Sequence, residues 1–431
     1  MSEQLLELVV GAPAAGGAFV GHADDGRVVF VRHALPGERV RARVTAATPS
    51  YLRADAVEVL SSSPDRVVPP CPYAGPGRCG GCDWQHVALP RQRSLKAELV
   101  AEQLARLART SHPVVVEQVP GAPDGLGWRT RMQWAVSASG QLGLHRHRSH
   151  GLELVQTCLI AGPGTTAPLG HDWRGATEVE ALSVNGQVVV STRGRPRTLP
   201  SLDAGLVVDG RAPALPSLDA GLVVDGRPVH VPHGVAVEVL GRSFQVGAGV
   251  FWQVHPGAAA ALASAVLSGL APGPGDRIVD LYAGVGLFAA LLGDAVGPTG
   301  SVLAVEGDAR ACADAGRNTA DQPWVKVRTG TVDAALVSSR VGRPTLVVLD
   351  PPRAGAGLAL SAALVSLRPR RIAYVACDPA SFARDLRVFL DAGWTMPSLR
   401  AYDIFPMTEH TEVVAILEPP RSEGISAGQR G

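Results

Sequence analysis

The sequence predicts an α/β protein: a doubly wound, Rossmann-like sheet in the C-terminal part, preceded by two β-rich regions. Three observations lead there. From about residue 246 the chain alternates a helical stretch, FWQVHPGAAAALASAVLSGL, with strand-like runs DRIVDLY, SVLAVEG, PTLVVLD and RIAYVAC, the spacing of a parallel sheet covered by helices. Residues 5 to about 60 alternate apolar and polar positions in short runs cut by Gly and Pro, with GRVVFV and ERVRARV the clearest strands. Residues 128–160 return to period-two patterning, and the chain stays β-like to about residue 250.

Taken in order, five or so short strands in under 60 residues predict a small OB-like barrel over 1–62, an architecture that often binds nucleic acid. SSSPDRVVPP reads as a linker into a central β-rich region, 63–245, which opens on a cluster of cysteines. Within it PRQRSLKAELVAEQLARLART, residues 90–110, predicts an amphipathic helix with Leu95, Leu99, Leu104 and Leu107 near helical spacing. The α/β domain follows over 246–420, and the polar tail 421–431 is expected to be disordered. LPSLDAGLVVDGR occurs at 199–211 and again at 215–227. Two copies are too few for a solenoid, and a duplication inside a tolerant surface loop accounts for them.

A chain of 431 residues with 46% hydrophobic and 18% charged residues can bury large cores in two or three domains. No apolar run reaches the ~18 residues of a membrane span, and MSEQLLELVV has no basic segment of a secretory signal, so a cytoplasmic location is expected; the chain is also expected to be a monomer. The net charge of +1 decides nothing about nucleic acid, but Trp128 to His150 holds Arg129, Arg131, Arg146 and Arg148, three histidines and no acid. Such a stretch suits a phosphate backbone or a solvated strand surface. Six cysteines in a reducing compartment point to metal ligation or catalysis rather than disulfides.

Asp280-Leu281-Tyr282-Ala283-Gly284-Val285-Gly286 lies between a strand and a helix, where two glycines allow a tight turn and close approach to a ligand. SVLAVE then ends in Glu306, at the place where α/β cofactor sites set a carboxylate against ribose hydroxyls. The pair fits NAD or S-adenosylmethionine. Asp350-Pro351-Pro352-Arg353 closes another strand beside the crevice where such sheets bind ligands. RIAYVAC ends in Cys377, placed as a nucleophile or as an inert buried thiol. Cys71, Cys79 and Cys82 end in Cys-x-x-Cys, a metal signal that needs a fourth ligand; His86 is near, but without the partner pattern of a zinc site.

AYVACDPASFARDL closely resembles the signature of the RNA uracil-5-methyltransferases, and FPMTEHTEVVAIL resembles that family's last motif. DLYAGVGLF, DPPRAG and FWQVHP resemble its remaining blocks, in the family's order. The resemblance implies a methyltransferase domain dependent on S-adenosylmethionine, with Cys377 as nucleophile and Glu412 as base. It further implies that Gln253, Tyr282, Gly284, Gly286, Glu306, Asp333 and Asp350 line the cofactor pocket. Phe251 is a candidate to hold the extruded base or a core residue, and neighbouring Glu409 is read as a surface residue. The N-terminal barrel resembles a TRAM RNA-binding domain. GRCGGCDWQH and HRSHGLELVQTC resemble the segments that hold a 4Fe–4S cluster, implying Cys71, Cys79, Cys82 and Cys158 as ligands and leaving Cys312 as a packed apolar residue.

Expected chemistry is therefore 5-methyluridine formation in RNA: 23S ribosomal RNA, with transfer RNA as the alternative. RNA cytosine-5 methylation would use the same thiolate logic. The rival from another class is an inactive RNA-binding iron–sulfur protein that kept the fold, against which the intact Cys377, Glu412 and Asp350 set argues.

Overall fold

The computed structural model describes residues 4–197, 205–208, 222–224, 227–229 and 234–420. The chain forms two compact units, each from several chain segments. The N-terminal unit holds residues 1–102, 114–261 and 401–412; the C-terminal unit holds 103–113, 262–400 and 413–431. No helix among the described residues is long and apolar enough to cross a membrane.

The N-terminal unit opens with β1 (Leu5–Val9), β2 (Pro13–Ala14), β3 (Ala18–His22), β4 (Val28–Arg32), β5 (Arg39–Ala47) and β6 (Tyr51–Ser61), in spatial order β1-β5-β6-β4-β3-β2. Three register shifts in the β5–β6 ladder supply the curvature of a barrel-like sheet. Alternate side chains Phe19, Val29, Val31, Val40 and Leu52 fill its core, and Trp84, Leu95 and Leu99 pack into the same cluster from outside the strands. Leu95 and Leu99 lie on helix α1 (Leu89–Gln103), which carries on as one π-helical stretch, Leu104–Ala108, to Arg109 in the left-handed region. The buried face of this helix runs Gln92, Leu95, Lys96, Leu99, Val100, Gln103, so three of six inward positions are polar.

After β7 (Val116–Gln118) come β8 (Arg131–Val136), β9 (Leu142–His145), β10 (Leu152–Leu154), β11 (Ala176–Val184), β12 (Gln187–Gly194) and β13 (Gly205–Val208), whose sheet runs β10-β9-β8-β11-β12-β13. Asn185 and Gly186 both take positive φ between β11 and β12, as the two-residue turn of a tight hairpin requires. Two further hairpins pair β14 (Leu222–Val224) with β15 (Arg227–Val229) and β16 (Gly234–Val239) with β17 (Arg242–Gly247). The repeated LVV therefore pairs in two ways: parallel to β12 in the first copy, antiparallel to β15 in the second. The rest of both copies, and the tail expected to be disordered, lie outside the described residues.

The longest segment of the C-terminal unit begins within α2 (Ala258–Leu270). Its helix starts seven residues later than the sequence suggests, because Pro256 disfavours helical geometry before it and Gly257 packs against the Pro120 carbonyl, leaving no room for a Cβ. The unit continues through β18 (Arg277–Leu281), α3 (Leu287–Val296), β19 (Ser301–Glu306), α4 (Ala309–Asn318), β20 (Val325–Thr329), α5 (Ala334–Arg340), β21 (Leu346–Leu349), α6 (Leu358–Leu367), β22 (Arg371–Ala376) and α7 (Pro379–Asp391). It ends with β23 (Thr395–Asp403) and β24 (Glu412–Glu418), both of which straddle the boundary between units. Strand order is β20-β19-β18-β21-β22-β24-β23, with the first five parallel and β24 antiparallel to β22. The order reverses at β18, which puts the ligand crevice of such a sheet at the carboxyl ends of β18 and β21. Residues Ala401–Asp403 of β23 pair with β7 inside the N-terminal unit.

A carboxylate-rich crevice and a four-cysteine pocket

Every predicted site residue of the C-terminal unit except Asp333 stands at or just beyond a strand end. Tyr282, Gly284 and Gly286 follow β18 and all take positive φ. At Gly286 the conformation is reinforced by contact, since a Cβ would meet Ala315 at 3.2 Å. Glu306 closes β19, and its carboxylate accepts from Gly284 N at 2.9 Å and Asp308 N at 2.8 Å. Acid and glycine loop thus fix each other. Asp350 follows β21, with its amide on the Leu281 carbonyl at 3.3 Å. Asp333 caps α5, accepting from Leu336 N at 2.7 Å, and Tyr282 Oη reaches the Val332 carbonyl at 3.5 Å.

Beneath the loop Asp280 is fully buried, and its only polar neighbour among the described residues that favours the charged form is the Ala289 backbone. Burial pushes its carboxyl well above the usual range, and neighbouring Asp350 and Glu306 add to the effect. Burial raises Asp350 as well. Asp280, Glu306 and Asp350 thus neighbour one another at the carboxyl ends of β18, β19 and β21.

Cys377 follows β22 and directly precedes Asp378, which caps α7 by accepting from Ser381 N at 2.7 Å. Val413 of β24 pairs with Ala376 of β22, the residue before Cys377, and Glu412 is the first residue of β24. The loop after Asp350 is held from below by residues that sequence reasoning missed. Tyr374 Oη donates to Asp385 at 2.8 Å and accepts from Ala356 N at 3.0 Å, while Gly357 N donates to the same Asp385 oxygen at 3.0 Å. Tyr374 and Asp385 stand in the quoted AYVACDPASFARDL, the only signal that could have found them.

The remaining predicted residues belong to the N-terminal unit. Glu412 is 3% exposed, and the segment leading to it is clamped. Lys96 Nζ pairs with Asp403 at 2.5 Å and donates to the Phe405 carbonyl at 3.0 Å, with both charged side chains essentially without solvent. Gln92 accepts from Met407 N at 2.9 Å while donating to the Trp84 and Val87 carbonyls. Glu409, expected at the surface, is half-buried and accepts from Gly16 N at 2.6 Å. Gln253 is buried in the turn before α2, where Val254 accepts from Thr130 N at 2.8 Å. Phe251, by contrast, is 63% exposed and no core residue.

Cys71, Cys79, Cys82 and Cys158 line one pocket with Tyr73 and Arg129, and no disulfide joins them. Burial raises Cys79, Cys82 and Cys158, so a thiolate there needs a cation. Among the described residues no group of three or more His, Cys, Asp or Glu closes tightly enough to hold a metal ion. His86 is not part of the pocket lining; its Nε2 bonds the Ala34 carbonyl at 3.0 Å. Cys312 is buried on α4, with its thiol at 3.4 Å from the Glu306 carbonyl.

The TRAM domain family matches residues 4–57. An RNA methyltransferase of Streptomyces avermitilis, itself uncharacterized, is 48% identical over 436 residues, covering 96% of this chain and 98% of its own. RlmD of Halomonas elongata, a 23S rRNA (uracil(1939)-C(5))-methyltransferase, is 32% identical over 453 residues, covering 98% of this chain and 91% of its own. The chain belongs to the S-adenosylmethionine-dependent RNA uracil-C5-methyltransferases. The fold agrees: Pyrococcus abyssi tRNA (uracil-54, C5)-methyltransferase in complex with S-adenosyl-L-homocysteine matches with TM-score 0.68 at 21% identity, over 95% of this chain and 99% of its own.

Proposed function

We propose that this chain methylates carbon 5 of a uracil in 23S ribosomal RNA, in the cytoplasm and as a monomer. The observation that supports it most is the 32% identity over 98% of this chain to RlmD of Halomonas elongata, a 23S rRNA (uracil(1939)-C(5))-methyltransferase.

Carbon 5 of uracil is a weak nucleophile. Addition of the Cys377 thiolate to carbon 6 pushes the ring electrons into an enolate, and carbon 5 then takes the methyl, with S-adenosylhomocysteine leaving. Glu412 next removes the carbon 5 proton; that electron pair restores the double bond and expels the Cys377 thiolate. S-adenosylmethionine supplies the sulfonium methyl when bound. Gln253, Tyr282, Gly284, Gly286, Glu306, Asp333 and Asp350 are the residues we assign to holding it. Cys71, Cys79, Cys82 and Cys158 would hold a 4Fe–4S cluster; four thiols lining one pocket suit its all-thiolate ligation.

The two catalytic roles differ in time, and that is the test. Cys377→Ala should bind RNA and cofactor yet form neither adduct nor 5-methyluridine. Glu412→Gln should slow release by about 10²–10⁴-fold and accumulate methylated RNA bonded to Cys377, visible as a band that survives denaturing electrophoresis. Normal turnover by Glu412→Gln, or an adduct in Cys377→Ala, overturns the assignment. Mapping 5-methyluridine in ribosomal and transfer RNA by mass spectrometry identifies the substrate.

A further inference from the structure

Trp128 to His150 holds four arginines, but the structure separates their tasks. Arg131 is buried against Glu180 at 2.7 Å, and Arg129 lines the cysteine pocket. Arg146 and Arg148 instead line a cavity of about 390 Å³, together with Phe30, Arg32 and Arg53 of the barrel sheet and His147. That volume falls in the range of small-ligand sites.

Four guanidiniums and one carboxylate, Asp55, face this cavity. Arg32 is 8% exposed; one guanidinium nitrogen pairs with Asp83 at 3.2 Å, and its Nε is buried without a partner. Arg146 pairs with Glu153 at 3.3 Å. Among the described residues Arg53 and Arg148 have no carboxylate partner; Arg53 lies over the Phe30 and Tyr51 rings, at 5.6 and 5.4 Å from their centroids. Burial lowers the His147 imidazole to about 4, and Arg32, Arg148 and Arg53 add to that, as a positive interior demands. The backbone is buttressed too: Gly80 N donates to the His145 carbonyl at 3.0 Å, and a Cβ on Gly80 would strike His147 N.

We propose that this cavity is a phosphate-binding pocket for single-stranded RNA, seating one backbone phosphate on Arg32, Arg53 and Arg148 beside the aromatic pair Phe30 and Tyr51. Guanidinium forks match phosphate oxygens in two-point contacts, and Phe30, which lines the cavity beside Arg53, offers an aromatic ring to a flanking base. An acidic peptide would use the charge but not the rings. The inference deepens the reading of RNA as substrate, and its test uses no methyl transfer.

The test is fluorescence anisotropy of a labelled single-stranded RNA oligonucleotide with the full chain, over a series of salt concentrations. Each lost phosphate contact flattens the slope of log K against log salt by about 0.7, or roughly four-fold in Kd at 0.15 M salt. Arg53→Gln and Arg148→Gln should each show this, and Arg53→Lys should restore the slope. Arg387→Gln, an exposed cation of the C-terminal unit, should leave affinity and slope unchanged. Added inorganic phosphate at constant ionic strength should weaken wild type more than the Arg53→Gln/Arg148→Gln double variant. Wild-type affinity and slope in both variants, with native melting, overturn the pocket. A chain that methylates no uracil yet shows these slope changes overturns the proposed function and keeps the pocket.

Discussion

The two units build their sites by opposite means. In the C-terminal unit Asp280, Glu306, Asp350 and Cys377 stand at the ends of β18, β19, β21 and β22, so ladders of parallel pairing fix their backbone before any ligand arrives. In the N-terminal unit Cys71, Cys79, Cys82 and Cys158 lie on loops, and the one regular backbone link is an isolated bridge from Cys79 to Arg146. Sheet-borne groups are held by hydrogen bonds spread over many residues. Loop-borne thiols lack such ladders, and burial raises Cys79, Cys82 and Cys158.

The largest consequence is a difference in dependence on the bound group. Cys82→Ser should lose iron and acid-labile sulfide and lower the unfolding midpoint of the N-terminal unit, while Cys312→Ser, buried in the C-terminal unit, should keep both. Metal analysis of anaerobically purified protein decides it: wild type is expected to be brown, with about four irons per chain. Colourless protein with one zinc breaks the comparison.

Next in size is the ion pair of Lys96 and Asp403. Both side chains are without solvent, and burial lowers Lys96 even though Asp403 opposes it. Lys96→Met leaves a buried carboxylate uncompensated, a loss of about 3–5 kcal/mol. Urea unfolding of the N-terminal unit measures it, and adding Asp403→Asn to Lys96→Met should recover part of the loss. A single variant within about 1 kcal/mol of wild type would show that water reaches the pair.

These residues also mark what the sequence does and does not disclose. The α/β alternation, the glycine loop and the strand-ending Asp350 and Cys377 were legible because regular strands write their positions into hydrophobic period. The helix over 90–110 was legible through its leucines. Gln92 and Lys96 share the same face but look like solvated positions until a partner distant in sequence is known. Glu409 was misread for that reason, its partner being the Gly16 amide. Of the two readings of Phe251, its 63% exposure removes the core one, which composition could not tell because Pro256 and Gly257 delay α2. Arg131 reads as part of a basic stripe, and only the fold reveals Glu180 beside it.

The smallest effect per group, and the sharpest in sign, is the response to pH. Burial keeps His86 and His255 neutral in the N-terminal unit, lowering each to about 4. An unfolded histidine titrates near 6.5, so below that pH the unfolded chain binds protons that the folded unit refuses. This contribution to stability is whole above pH 6.5 and is lost as pH falls toward 4. The C-terminal unit runs the other way. Asp350 and Asp280 are raised by burial, whereas unfolded aspartate ionises near 3.9. Their folded forms keep protons that the unfolded chain has released, so stability is lost as pH rises above about 4. Between pH 5 and 7 ordinary carboxylates are ionised in both states, which isolates the opposed groups. Hydrogen exchange, corrected for its intrinsic pH dependence, should therefore show protection rising across that window for β8 and β11 and falling for β18 and β21, by at most about 1.4 kcal/mol per pH unit per group. His86→Gln should flatten the first trend and Asp350→Asn the second. Trends of the same sign in both units would mean that Asp280 and Asp350 are ionised in the folded chain, each with a partner close enough to offset its burial.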